Sequence, residues 1–262
     1  FKLARIDATW AEVEAVKGSY NWTRLDSLIG ALSNHAVQAY VILDYGNTLY
    51  EGASDATRPG MRIRTPEGRA AFARFAVAMM QRFRSEVAYW EVWNEPNGRT
   101  NKGGFWEAAP NCTAEWDPCN AADYVALVES VARAKSADAL LQGETIVGPA
   151  ADGGWVGLMD DGKWLQQVFA LGLLKSIDAV SVHPYRHTAP ETVLEDYAKL
   201  QVLIKRYNGG EAVRLISSEW GYVGGQDGHC PGTLPHSACQ EWNDRQSTLD
   251  DLQAKYLPRQ WL

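Results

Sequence analysis

Residues 88–98 read AYWEVWNEPNG. An aromatic-rich run suited to a strand stops at a carboxylate, Glu95, held between Asn94 and Pro96. Pro96 cannot continue a hydrogen-bonded ladder, so the strand ends there. A charge at a buried strand end is costly unless it has a partner or a task. A single Glu in such a place is more often a solvated charge or the partner of a helix N-terminus, so the surrounding chain must decide.

Working outward, the same kind of apolar run recurs at 1–7, 38–45, 144–148, 177–183 and 213–218. Near-continuous apolar runs are those of strands buried on both faces. Helical patterns follow at about 23–35, 66–84, 121–137, 163–171, 191–207 and 244–261. In PEGRAAFARFAVAMMQRF, Pro66 opens a helix and Phe72, Phe75 and Met79 recur at helical spacing. Strict strand–helix alternation implies an α/β fold with a parallel sheet and right-handed crossovers. No G-x-G-x-x-G, Walker A or G-x-S-x-G motif follows a strand. Chemistry-bearing residues sit instead at the C-terminal ends of several strands, the distribution of a (β/α)8 TIM-barrel type, where strand ends ring one mouth. The expected organisation is one domain over residues 1–262, a partial barrel.

With 262 residues, 46% of them hydrophobic, the chain can bury one large core, and its net charge of -7 argues against nucleic acid or an anionic membrane as partner. No apolar run reaches the ~20 residues of a membrane span. FKLARID at the start reads as a strand and not as a signal peptide. Cys112 and Cys119, and Cys230 and Cys239, form two close pairs in polar, Pro-containing loops. Their spacing is not that of a zinc site, and local even pairs suggest two loop-stapling disulfides and a secreted protein. No metal-ligand cluster or cofactor motif is present in the sequence, so no metal and no cofactor is expected.

A second carboxylate, Glu219, ends the run VRLISS within SSEWG, followed by Trp220. Two carboxylates facing each other across a cleft are what glycoside hydrolysis requires, one protonated to assist the leaving oxygen and one ionised. Asn94 can bond a sugar 2-hydroxyl. Strand alternation would point Asn94 and Glu95 to opposite faces, so the strand must bend or bulge. His183 and Tyr185, in SVHPYR, share one side of an extended segment, and both can donate to a carboxylate or a sugar hydroxyl. Arg5, in LARID, needs an anionic partner inside a barrel, either Asp7 or Glu219. Tyr45, Asn47 and Trp10 lie just past strand ends and are weaker candidates for a sugar-binding floor.

The set LARID, KGSYNW, ILDYGN, WEVWNEPN, VSVHPYR and SEWG resembles clan A, the retaining (β/α)8 glycoside hydrolases, and most closely their family 39 and family 5 type, including bacterial exopolysaccharide hydrolases. The resemblance covers nearly the whole chain. It implies Glu95 as acid/base, Glu219 as nucleophile, Asn94 as the residue before the acid, and His183 with Tyr185 as the sixth-strand polar pair. Arg5 corresponds to a second-strand arginine beside the nucleophile. By that alignment FKLARID is the second strand, and the first and eighth strands are lacking, which leaves an open seam through which two copies could associate. The expected function is a secreted retaining glycosidase on β-linked polysaccharide or oligosaccharide, an endo-β-glycanase such as a xylanase or glucanase. Two alternatives are a non-catalytic glycan-binding barrel and a transglycosylase using the same two glutamates.

Overall fold

The computed structural model describes residues 2–51, 63–97, 118–152, 163–186 and 189–221. Strand β1 (Leu3–Thr9) leads through α1 (Trp10–Val13) and α2 (Thr23–Asn34) to β2 (Gln38–Asp44). Then come α3 (Thr48–Glu51), α4 (Pro66–Phe83), β3 (Val87–Val92) and α5 (Pro118–Ser136). The chain continues with β4 (Ile146–Ala151), α6 (Lys163–Ala170), β5 (Ala179–Val182), α7 (Val193–Tyr207) and β6 (Arg214–Ser217). The helix expected over 244–261 and the side chains of Cys112, Cys119, Cys230 and Cys239 lie outside the described residues.

The six strands form one sheet in the order β1 to β6, every neighbouring pair parallel. An order without reversal is that of a barrel. A doubly wound sheet reverses at a switch point. Among the described residues β1 and β6 are the two edges of this sheet, so the architecture is that of a partial (β/α)8 barrel.

Strand alternation divides the side chains into two faces. On the helix side, Ala8, Val41, Leu43, Trp90 and Val92 pack against Phe72, Phe75, Met79 and Met80 of α4. Each large apolar side chain buried there contributes about 1.5–3 kcal/mol relative to exposure. α4 starts where the sequence signals it, with Pro66 in its first turn and Thr65 Oγ1 accepting from Gly68 N at 2.9 Å. On the other face Tyr40, Val147 and Ala179 form a small cluster with Tyr89 and Ile216. That inner face also carries Arg5, paired in register with Tyr40, and Glu91, two residues beyond Tyr89. It is the polar interior on which the site stands.

Candidate active site

The bend required at the end of β3 is present. The strand stops at Val92, and Trp93 and Glu95 both take left-handed backbone angles, with φ of 71° and 48°. Such angles are rare for residues with a β-carbon and cost roughly 1–3 kcal/mol each. They reverse the alternation: Trp93 turns wholly into the core while Asn94 and Glu95 both reach the polar mouth. Backbone bonds hold the turn, Trp93 N donating to Leu43 O at 3.0 Å and Glu95 N to Ala150 O at 3.1 Å.

Glu219 follows β6 and receives donors from two sides. The Arg5 Nη1 group donates to Glu219 Oε1, and Tyr185 OH donates to Oε2 at 3.0 Å. Burial raises the Glu219 pKa, but the electrostatic pull of His183 and Arg5, with the hydrogen bonds from Tyr185 and Arg5, outweighs it and holds the carboxyl below its ordinary value. The Tyr185 phenol is pushed up to about 12 by burial and by the charge of Glu219, so it stays a donor. Of the two partners open to Arg5, the fold selects Glu219. Asp7 acts instead on the Asp44 carboxyl.

His183 follows β5 and is wholly buried between the two carboxylates. Its Nδ1 lies 2.8 Å from Glu95 Oε1 and 3.7 Å from Glu219 Oε2. Arg5 Nη2, which can only donate, approaches His183 Nε2 at 3.5 Å, and Ser218 Oγ lies 3.1 Å from the same nitrogen. Facing a group that can only donate, Nε2 is the accepting ring nitrogen, and Nδ1–H donates to Glu95. One ligand atom each from Glu95, His183 and Glu219 lies within 4.8 Å of the others. Such a trio could in principle chelate a cation, but the guanidinium bound to Glu219 opposes a further positive charge. The sequence shows no metal spacing because the three residues come from three separate strand ends.

Asn94 Oδ1 accepts from Arg5 Nη2 at 2.7 Å, and Asn94 Nδ2 donates to Tyr45 OH at 3.4 Å. The half-buried Tyr45 ring meets Trp93 edge-on with centroids 5.4 Å apart. Trp220 is half-buried beside Glu219, with the Arg186 guanidinium 5.7 Å from its ring centroid. The structure thus brings together Arg5, Tyr45, Asn94, Glu95, His183, Tyr185 and Glu219, while the ring of Trp220 packs against Arg186.

Trp10 is a correction. Its indole is wholly buried, stacked on Tyr50 at 5.1 Å and set edge-on to Phe72 at 5.5 Å, with Nε1 donating to Glu14 Oε2 at 2.6 Å. No face is left for a ligand. It starts α1 with its ring under the helices, where the hydrophobic gain is larger than at the mouth. Asn47 is likewise structural: its Nδ2 donates to Glu14 O and its Oδ1 accepts from Leu49 N.

Sequence reasoning missed Glu91, Tyr40 and Asp44. Glu91 is fully buried in mid-strand, accepting from Arg5 Nε at 2.8 Å and Tyr40 OH at 2.7 Å. The signal was a charge on the same strand face as the arginine's. The buried Asp44 carboxyl is pushed up to about 8 by burial first and then by Asp7, against the opposing pull of Arg5 and Thr9.

No protein-family model and no curated protein matches the chain. Solved structures do. A family 39 glycoside hydrolase from the gut symbiont Bacteroides cellulosilyticus WH2 superposes with a TM-score of 0.64 at 18% identity, over 95% of this chain and 48% of that one. The GH39 enzyme from Xanthomonas axonopodis pv. citri gives a TM-score of 0.59 at 18% identity, over 84% of this chain and 45% of that one. A fungal β-1,4-galactanase gives 0.54 at 14% identity, over 97% and 73%. The chain spans about half the length of the first two. At these identities the likeness is one of fold, and it is the (β/α)8 glycoside hydrolase fold that the motifs resemble.

Proposed function

We propose that the chain carries the active centre of a retaining glycoside hydrolase acting on β-linked polysaccharide or oligosaccharide, with Glu219 as nucleophile and Glu95 as acid/base. The observation that carries this reading is the separation of the two glutamates, whose nearest ligand oxygens lie within 4.8 Å across one mouth. Retaining enzymes space their carboxyls about 5–5.5 Å apart, inverting ones roughly 6.5–9.5 Å. The fold supports the same class of chemistry.

In the first step Glu219, kept ionised by Arg5 and Tyr185, attacks the anomeric carbon. The glycosidic C–O bond breaks as Glu95 gives its proton to the leaving oxygen. Glu95 Oε1 accepts from His183, and Oε2 carries that proton. In the second step Glu95, now ionised, takes a proton from water as the water oxygen attacks the anomeric carbon. The glycosyl–Glu219 bond breaks, and the product keeps its configuration. Asn94, fixed by Arg5, presents its Nδ2 toward the sugar 2-hydroxyl.

We place the protein outside the cell, where the paired cysteines of its loops can oxidise, and assign it endo action on a β-glycan. Hydrolysis of xylan, cellulose, mixed-linkage glucan, mannan and microbial exopolysaccharides tests the substrate class. Glu219→Gln should abolish turnover of whichever is cleaved. Glu95→Ala should lose most on poor leaving groups and regain rate with azide. Full activity in Glu219→Gln rejects the assignment.

A further inference from the structure

Among the described residues, Glu91 is a fully buried acidic group beside the site that takes no direct part in the mechanism. It lies in mid-strand on β3, fully excluded from solvent. Arg5 meets its Oε2 with two nitrogens, Nε at 2.8 Å and Nη2 at 2.7 Å, and Tyr40 OH meets its Oε1 at 2.7 Å. Arg5 therefore has its back to Glu91. Its Nη2 also reaches Asn94, and Nη1 alone faces Glu219.

An arginine left to itself beside a carboxylate takes the two-bond fork geometry, which ties up both oxygens. Here the fork is already occupied. Glu219 receives one nitrogen of the guanidinium, and its other oxygen is held by a neutral phenol. One positive charge is shared between two carboxylates, so Arg5 orients Glu219 without neutralising it. The groups facing Glu91 are Arg5, Tyr40 and, through its field, Tyr124 of α5. Those facing Glu219 are Arg5, Tyr185 and His183, with Glu95 opposite.

We propose that Glu91 is a positioning residue for the reaction: from behind the site it fixes Arg5 and takes up part of its charge, so that Arg5 orients Glu219 with less than a full positive charge. This rests on the reading of Glu219 as nucleophile.

Two measurements test it without depending on turnover. In the first, the Arg5 Nε–H signal is followed by NMR in the wild type and in Glu219→Gln. If Glu91 holds the arginine, the signal stays downfield and slow to exchange in both. If it averages into the bulk arginine signals in Glu219→Gln, Arg5 is held by Glu219 and the proposal is overturned. In the second, the Glu219 carboxyl is titrated by carbon NMR in the wild type and in Glu91→Gln, a variant that keeps the shape and can still accept from Arg5. The Glu219 midpoint should move to lower pH, because the guanidinium charge is no longer shared. Glu91→Asp, which keeps the charge, should restore much of the difference. A midpoint that is unmoved or higher in Glu91→Gln also overturns it. With substrate, Glu91→Gln should lower kcat/KM by roughly tenfold to a hundredfold, as for a slightly misplaced group, and shift the acid limb downward with Glu219. If the NMR results hold but the wild type cleaves no glycoside, the proposed function fails and the placement of Arg5 by Glu91 stands.

Discussion

His183 Nδ1 lies 2.8 Å from Glu95 Oε1, joining residues 88 positions apart at the ends of two strands. The bond fixes one oxygen of Glu95, and in the proposed mechanism the other serves the leaving group. General acids contribute about 10²–10⁴-fold to rate. His183→Ala should therefore slow aryl glycosides with poor leaving groups by roughly tenfold to a hundredfold, and dinitrophenyl glycosides much less. Rates plotted against leaving-group pKa check this. An equal loss on all leaving groups contradicts a role through Glu95.

In the proposed mechanism the depressed Glu219 carboxyl sets the acid side of the pH profile. Activity needs it ionised, so the acid limb of kcat/KM should fall below the ordinary glutamate value of about 4.3. Because the folded value lies below the unfolded one, ionised Glu219 also stabilises the fold above that unfolded value. This stabilisation is lost as pH falls through the folded one. Replacing both buried charges, in Arg5→Gln with Glu91→Gln, removes the cation and should move the acid limb upward. A downward move contradicts the assignment of Arg5.

Asp44 acts with the opposite sign. Its folded pKa, about 8, lies above the unfolded value, so the native state holds a proton that the unfolded chain releases first. Stability from this group is full below about pH 4 and declines as pH rises toward 8, by up to about 1.4 kcal/mol per pH unit. Asp44→Asn keeps a donor toward Asp7 and removes the titration. Urea midpoints at pH 5 and pH 8 should show the variant gaining on the wild type as pH rises. An unchanged difference between the two pH values contradicts a buried neutral carboxyl.

Trp10 belongs to stability and not to binding. Trp10→Ala should cost about 3–5 kcal/mol, the range for emptying a large aromatic site in a core, and lower the melting temperature accordingly. A variant as stable as the wild type contradicts the packing seen around it.

Much of this was legible in the sequence because the two periodicities are strong. The strand runs at 38–45 and 213–218 and the helix over 66–84 fall within a residue or two of their observed bounds. Glu95 and Glu219 stood out because a carboxylate at the end of an apolar strand is costly unless it is paired or takes part in chemistry. Three things were not legible. The left-handed turns at Trp93 and Glu95 are set by backbone bonds to β2 and β4, which local sequence does not encode. Glu91 was hidden inside its strand, since its partners Arg5 and Tyr40 lie on two other strands. Trp10 was misplaced because an aromatic just past a strand can turn to the mouth or under a helix with the same spacing. Only the tertiary packing with Tyr50 and Phe72 decides.

In the proposed mechanism Glu219 forms a covalent glycosyl intermediate while Glu95 handles the proton. The direct test is trapping with a panel of 2-deoxy-2-fluoro-β-glycosides carrying activated leaving groups, followed by peptide mass spectrometry. One glycosyl adduct is expected, on Glu219, and it is absent in Glu219→Gln. An adduct on another residue, or substrate hydrolysis whose first-formed product has inverted configuration by proton NMR, would contradict it.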